Sequence, residues 1–300
     1  MSRIFALIIL LFSLTGTAET VTIIYAFGPA DTMANYSRTL VDEANRIQQK
    51  YTFLFDTRPG AGSSIAARYV ENNTNTILQT SSAHFIRPNF YPTESHEINN
   101  FRELLPLASP PMAVASAKYR NWSEVPTSRP INVGISGLGT TSHLIAMQIK
   151  TRYPNLQPIP FKSTNDSILS LIGGQIDLHV GFLGEMKEWT KTKKNLYILG
   201  MTGTKSVGGH PLLINQHFPS ILANMDNPQH LVVPKTIPDL KFNEWRNILF
   251  VASKASTVQD SYKIDLATPM DGMSTADLQA WYLAQTQQWK KLSSTVKLDK

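Results

Sequence analysis

The chain contains no cysteine, which excludes disulfides, thiolate metal sites, a cysteine nucleophile and a lipid anchor on cysteine. Charge is sparse as well, at 17 % of residues, with 28 Lys and Arg against 22 Asp and Glu for a formal net charge of +6. The basic residues are scattered. Their one cluster, Lys187, Lys191, Lys193 and Lys194, reads as a solvated helix end, and no basic stripe interleaved with aromatics is present, which argues against nucleic acid as a partner. Long apolar runs are missing after the first eighteen residues. Those residues read as a cleavable export leader: Arg3, an apolar run over 4–12, and small residues ending in Gly16, Thr17 and Ala18 before a cut ahead of Glu19. The run falls well short of the ~20 residues that span a bilayer, so the mature chain is expected to be soluble and exported.

What remains is a packed globular chain long enough for two domains, 42 % hydrophobic. Residues 20–26 suit a strand, followed by a turn over 27–32 with Asp31 and Thr32 as natural caps. A helix comes next, with Met33, Tyr36, Leu40, Val41, Ala44 and Ile47 on one face. Strand patterns recur at 52–56 and 76–80, separated by a glycine turn and a helix over 65–70, and 104–116, broken at Pro110 and Pro111, can supply two more strands. From 131 to 182 the order is strand, glycine-and-hydroxyl turn, helix, strand, helix, strand. Residues 197–202 suit a strand, 203–243 look irregular, and 248–253 is expected to be a strand returning to the first domain. Ser274 and Asp277 form an acidic capping box ahead of a terminal helix carrying Leu278, Trp281, Tyr282, Gln285, Trp289 and Leu292 on one face. Such alternation predicts an α/β fold with parallel sheets and crossover helices. The polar segment 118–130, with two prolines, is read as the crossing between domains.

In open α/β sheets, ligands bind beyond the carboxyl ends of the strands. Four loops there are rich in small, hydroxyl or acidic residues: 27–32, 81–84, 136–143 and 162–165. The third, Ser136-Gly137-Leu138-Gly139-Thr140-Thr141-Ser142-His143, opens a helix whose first N–H groups lack intrahelical partners and attract an anion without a metal. Catalysis finds no matching group set. The run Gly134-Ile135-Ser136-Gly137-Leu138 lacks the closing glycine of a nucleophile elbow, no glycine turn has a P-loop ending or dinucleotide fingerprint, and the seven histidines show no metal-ligand spacing to carboxylates. The expectation is a binding protein, not an enzyme, with no cofactor and no metal.

Three motifs carry a resemblance to the solute receptors of tripartite tricarboxylate transporters, the Bordetella uptake (Bug) family. They are Arg58-Pro59-Gly60-Ala61-Gly62 before a helix, the Ser136–Leu144 turn, and Pro160-Phe161-Lys162-Ser163-Thr164 leading to Gly173-Gly174-Gln175-Ile176-Asp177. The resemblance implies a periplasmic binding protein of type II, with two α/β domains around a ligand cleft. Domain 1 would comprise 19–118 and 247–300, and domain 2 119–246. It implies a monomeric receptor that closes on a small carboxylate and delivers it to a membrane transporter. An alternative is a sensor or adaptor acting on a membrane kinase. Carried over by position, the ligand-binding residues are Phe27, Pro29, Ala30, Asp31 and Thr32 on one side and Ser136, Gly139, Thr140, Thr141 and His143 on the other. Ser81, Ser82, Phe161, Lys162 and Asp177 complete the candidate set. The first loop departs from the family, with Ala30-Asp31 where a glycine pair is usual. Asp31 then has two readings: it caps its own helix, or it faces the cleft and favours a ligand with an amine or hydroxyl, such as an amino acid. Lys162 would add a point charge or cover the surface, and Asp177 would hold a loop.

Overall fold

The computed structural model describes residues 18–296 apart from 194 and 226, so the expected leader lies outside the described residues up to Ala18. The chain opens with β1 (Glu19–Tyr25), α1 (Ala34–Ile47), β2 (Tyr51–Thr57), α2 (Ser64–Glu71), β3 (Thr76–Thr80), α3 (Ala83–Phe90) and β4 (Phe101–Ser109). β1 lies between β2 and β3, parallel to both. α1 buries Tyr36, Leu40, Val41 and Ala44 at helical spacing, the apolar stripe anticipated from the sequence. β5 (Met112–Ser116) then begins a second sheet, continued by β6 (Ile131–Ile135), α4 (Thr141–Lys150), β7 (Leu156–Pro160), α5 (Thr164–Ile172), β8 (Leu178–Phe182), α6 (Leu183–Thr192) and β9 (Tyr197–Met201). β10 (Gln229–Pro234) returns to the first sheet, followed by α7 (Asp239–Ser253), α8 (Ser256–Ile264), β11 (Thr268–Pro269) and α9 (Thr275–Thr295).

The first sheet runs β11-β4-β10-β3-β1-β2 and the second β7-β6-β8-β5-β9. Each has a parallel core widened by antiparallel pairings: those of β10, β4 and β11 in the first, and of β5 and β9 in the second. Two crossings therefore join two lobes. The first falls at Pro110 and Pro111, which lack the N–H that would carry a ladder onward. Segment 118–130, expected to be the crossing, lies within the second lobe, where Trp122 and Val125 are buried and the Tyr153 hydroxyl donates to the Trp122 carbonyl at 2.8 Å.

The expected strand at 248–253 is the second half of α7. Its apolar run is too short to distinguish strand from helix by itself, but Phe242, Trp245, Leu249 and Ala252 are all buried, and their spacing of three to four is helical. The return strand is β10, a six-residue stretch from within the region read as irregular. At the end of the chain, Ser274 accepts from the Asp277 N–H at 3.2 Å, so the anticipated cap of α9 forms.

The two lobes touch where side chains are absent. A Cβ on Gly184, at the start of α6, would lie 2.3 Å from the Asp265 Cα, and one on Gly28, in the loop after β1, 2.7 Å from the Ser163 Cβ. Each pair joins different lobes, so the missing Cβ sets how closely the lobes approach. Gly184→Ala is accordingly expected to leave each lobe folded, with an unchanged far-UV circular dichroism spectrum. Its small-angle scattering should indicate a more open particle than the structure described here; a curve that still fits these contacts would contradict that role for Gly184.

Candidate functional site

A narrow cavity, with room for about one water molecule as the lobes stand, lies between them at the carboxyl ends of the parallel strands. All four loops singled out in the sequence reach it: Phe27 and Asp31 after β1, Ser81 after β3, Ser136, Thr140 and Thr141 after β6, and Thr164 after β7. Tyr25, Phe182, Asn227 and Gln229 complete the lining. Phe27 and Ser136 also line a wider depression outside it, together with Arg87, Phe161 and Lys162.

Asp31 neither caps α1 nor faces solvent. Position 33 precedes α1 and makes no side-chain cap, because a turn in which the Asp31 N–H donates to the Gly28 carbonyl and the Ala34 N–H to the Asp31 carbonyl occupies the entry. The side chain, 2 % exposed, instead crosses to the other lobe. Its Oδ1 accepts from the Thr164 hydroxyl at 3.2 Å and the Asn165 N–H at 3.3 Å. A carboxylate from one lobe thus sits at the start of α5 in the other, where partial positive charge favours it. Among the described residues its Oδ2 receives only the Tyr25 hydroxyl, at 3.4 Å. Burial pushes Asp31 up to about 6 despite these donors.

A second acid, absent from the sequence-based candidates, sits behind it. Glu185 in the first turn of α6 is 3 % exposed. Burial first, then the neighbouring Asp31, push it up to about 8, while a hydrogen bond with Thr164 opposes the shift. Thr164 therefore stands between two carboxyls. Glu185 is thereby neutral beside a charged Asp31, and its Oε2 has no hydrogen-bond partner among the described residues. Asp265, also raised to about 6 by burial, faces Thr32 and Tyr36 beside this cluster. Thr32 does not line the cavity.

At the start of α4 the hydroxyls mostly hold one another. Thr140, the N-cap, accepts from the His143 N–H at 3.4 Å and donates to the Gly137 carbonyl at 2.8 Å. The Ser142 hydroxyl accepts from the Ser136 N–H at 3.0 Å and lies 2.9 Å from both the Ser136 and Thr140 hydroxyls. His143 takes the Gly139 N–H on Nδ1 at 3.1 Å, which leaves the proton of a neutral ring on Nε2. The Thr141 hydroxyl crosses the lobe boundary to the Asn227 Oδ1 at 3.0 Å, which also receives the Ser82 N–H at 3.3 Å. Asn227 was not read from the sequence; its only signal is a position beside Pro228 at the second crossing.

Several candidates stand apart from the cavity. Pro29 and Ala30 are exposed. Gly139, at φ +74°, packs on Arg87, the Ser82 N–H serves Asn227, and Phe161 and Lys162 belong to the outer depression. Asp177 precedes β8, whose far end carries Phe182 into the cavity; at about 3.3 Å per residue it lies a full strand length away. It holds Lys118 at 3.0 Å, Arg129 at 2.8 Å and the Asn132 N–H at 3.0 Å, and those partners hold its carboxyl down to about 2 against the effect of burial. It fixes the loop after β5.

Two α/β lobes, joined by two crossings and enclosing a cavity at their strand ends, are the architecture of the periplasmic binding proteins. Among solved structures, the periplasmic binding protein BugD superposes with a TM-score of 0.82 at 20 % identity, covering 93 % of this chain and 99 % of its own. An adipate-bound protein of R. palustris gives 0.80 at 21 % identity over 92 % and 97 %, and malate-bound MatC from Rhodopseudomonas palustris 0.80 at 15 % over 92 % and 99 %. No family model matches the chain, and no curated protein matches its sequence. At these identities the fold is what is shared.

The Glu185 carboxyl sets a pH dependence. Between its ordinary value of 4.5 and about 8 the folded protein retains a proton that the unfolded chain has released. The stability this contributes is complete below the lower value and lost as pH rises through the upper one. Glu185→Gln removes the dependence, so the melting temperature of the variant relative to wild type is expected to rise steadily from pH 5 to pH 8.5. A constant difference across that range would contradict the shift.

Proposed function

We propose that this chain is an exported, periplasmic solute receptor that captures a small carboxylate between its lobes and hands it to a membrane transporter, binding its ligand without transforming it. The observation that carries this reading is the enclosed cavity at the strand ends of both sheets, with the start of α4 on its wall. Two neighbours of the same fold, solved with adipate and with malate, support the choice of a carboxylate. The closed cavity holds no more than about one water molecule, so loading requires the lobes to part. The Asp31 contacts with Thr164 and Asn165 and the Arg87 donation to the Leu138 carbonyl at 2.8 Å cross the boundary and would re-form around the solute, whereas the Thr141 hydroxyl, which donates to the Asn227 Oδ1 in this structure, would turn to the solute.

In the proposed complex the carboxylate meets the start of α4, where the first-turn N–H groups have no intrahelical acceptor and Thr141 supplies a hydroxyl. A hydrogen bond to a charged group contributes ~1.5 to 3 kcal/mol. A melting-temperature screen against mono-, di- and tricarboxylates finds the ligand, since a solute at ~100 times its dissociation constant adds ~2.7 kcal/mol. Thr141→Val keeps the side-chain volume and removes the hydroxyl. By calorimetry it should bind the solute so identified at least about tenfold more weakly, with an unchanged fold; undiminished affinity would remove Thr141 from the site.

A further inference from the structure

One acceptor on the cavity lining lacks a donor. Gln229 is 1 % exposed and lines the cavity, and its Oε1 has no hydrogen-bond partner among the described residues. Its Nε2 donates to the Asn227 carbonyl at 3.3 Å, which fixes the amide so that the oxygen is the unsatisfied end; flipping it would set two oxygens against each other. A buried acceptor left unmade costs about 1 to 3 kcal/mol, so this position calls for a donor. On the same wall, Asp31 uses Oδ1 for the start of α5 and leaves Oδ2 with one long contact. Among the described residues no Lys, Arg or His lines the cavity. The nearest cations in the outer depression are Lys162 and Arg87, and Arg87 is held by the Leu138 carbonyl and Glu94.

A solute carrying only carboxylates would bring further negative charge against Asp31 with nothing cationic to offset it, a heavy cost in a space cut off from water. We propose that the cavity selects a small zwitterion of amino-acid type, whose ammonium sits between Asp31 and Gln229 while its carboxylate meets the start of α4. This rests on the receptor reading above and narrows it. The ammonium donates to the Asp31 Oδ2 and the Gln229 Oε1 and balances the charge of Asp31. A divalent cation would need several oxygen ligands, and among the described residues no group of three or more His, Asp or Glu side chains is placed to hold a metal ion.

Matched solutes that differ only at one substituent test the proposal: alanine, lactate and propionate, and aspartate, malate and succinate, each titrated calorimetrically into wild type, Asp31→Asn and Gln229→Met. Within at least one series, the amino member is expected to bind wild type at least tenfold more tightly than its unsubstituted partner. Each variant should lose most of that preference, Gln229→Met doing so with Asp31 intact. Equal or tighter binding of propionate or succinate overturns the zwitterion claim while the receptor reading stands. Binding of ethylamine as tightly as alanine would instead remove the carboxylate from the account, and failure of all six acids would remove the receptor reading itself.

Discussion

A single carboxylate links the two halves of this molecule. Asp31 belongs to the loop after β1, yet its acceptor oxygen serves the hydroxyl of Thr164 and the N–H of Asn165 in the other lobe. A helix start in one lobe is thereby satisfied by a side chain of the other, and separating the lobes leaves both groups to water. The rest of the boundary is built to allow that approach. Gly28 lies against Ser163 and Gly184 against Asp265, at separations a Cβ would forbid. The buried Glu185 behind Thr164 is held neutral by the same burial that raises Asp31.

The opposite wall is organised differently. Around α4 the hydroxyls of Ser136, Thr140 and Ser142 form a closed set with the turn's own backbone, which preorganises the helix start and leaves little reorganisation to accompany binding. Thr141 alone among them bonds across the boundary, to Asn227. One wall of the cavity is therefore an acceptor surface from Asp31 and Gln229, and another a donor surface from a helix start. That polarity follows from packing and topology together, since the strand ends of both sheets face the same space.

Much of this was legible in the sequence, for reasons particular residues make plain. The glycine-and-hydroxyl run 136–143 combines turn residues with an N-cap, and the structure builds that turn; the cap at Ser274 and the apolar face of α1 follow from local rules as well. The fate of Asp31 was only half legible. Its type and position allowed either a local cap or a cleft-facing acid, and the deciding fact, Thr164 and Asn165 of another lobe, is 133 and 134 residues away in the chain. Glu185, Asn227 and Gln229 carry no local signature, because their roles come from tertiary burial. Segment 248–253 differs for another reason: five consecutive apolar residues fit a strand or a helix equally, and only the longer window with Phe242 and Trp245 resolves them. Asp177, within a recognisable motif, stands at the wrong end of its strand to meet a solute.

The account depends on the cavity being the place where a solute is held, with Asp31 on one wall and the start of α4 on another. The most direct measurement is a crystal structure of the mature protein with the solute that most raises its melting temperature. Density for that solute is expected within the cavity, its carboxylate at the first turn of α4 and its cationic group within hydrogen-bond distance of Asp31 and Gln229. Density for the solute elsewhere, with the Asp31–Thr164 contact intact and the cavity closed around nothing larger than a water, would contradict it.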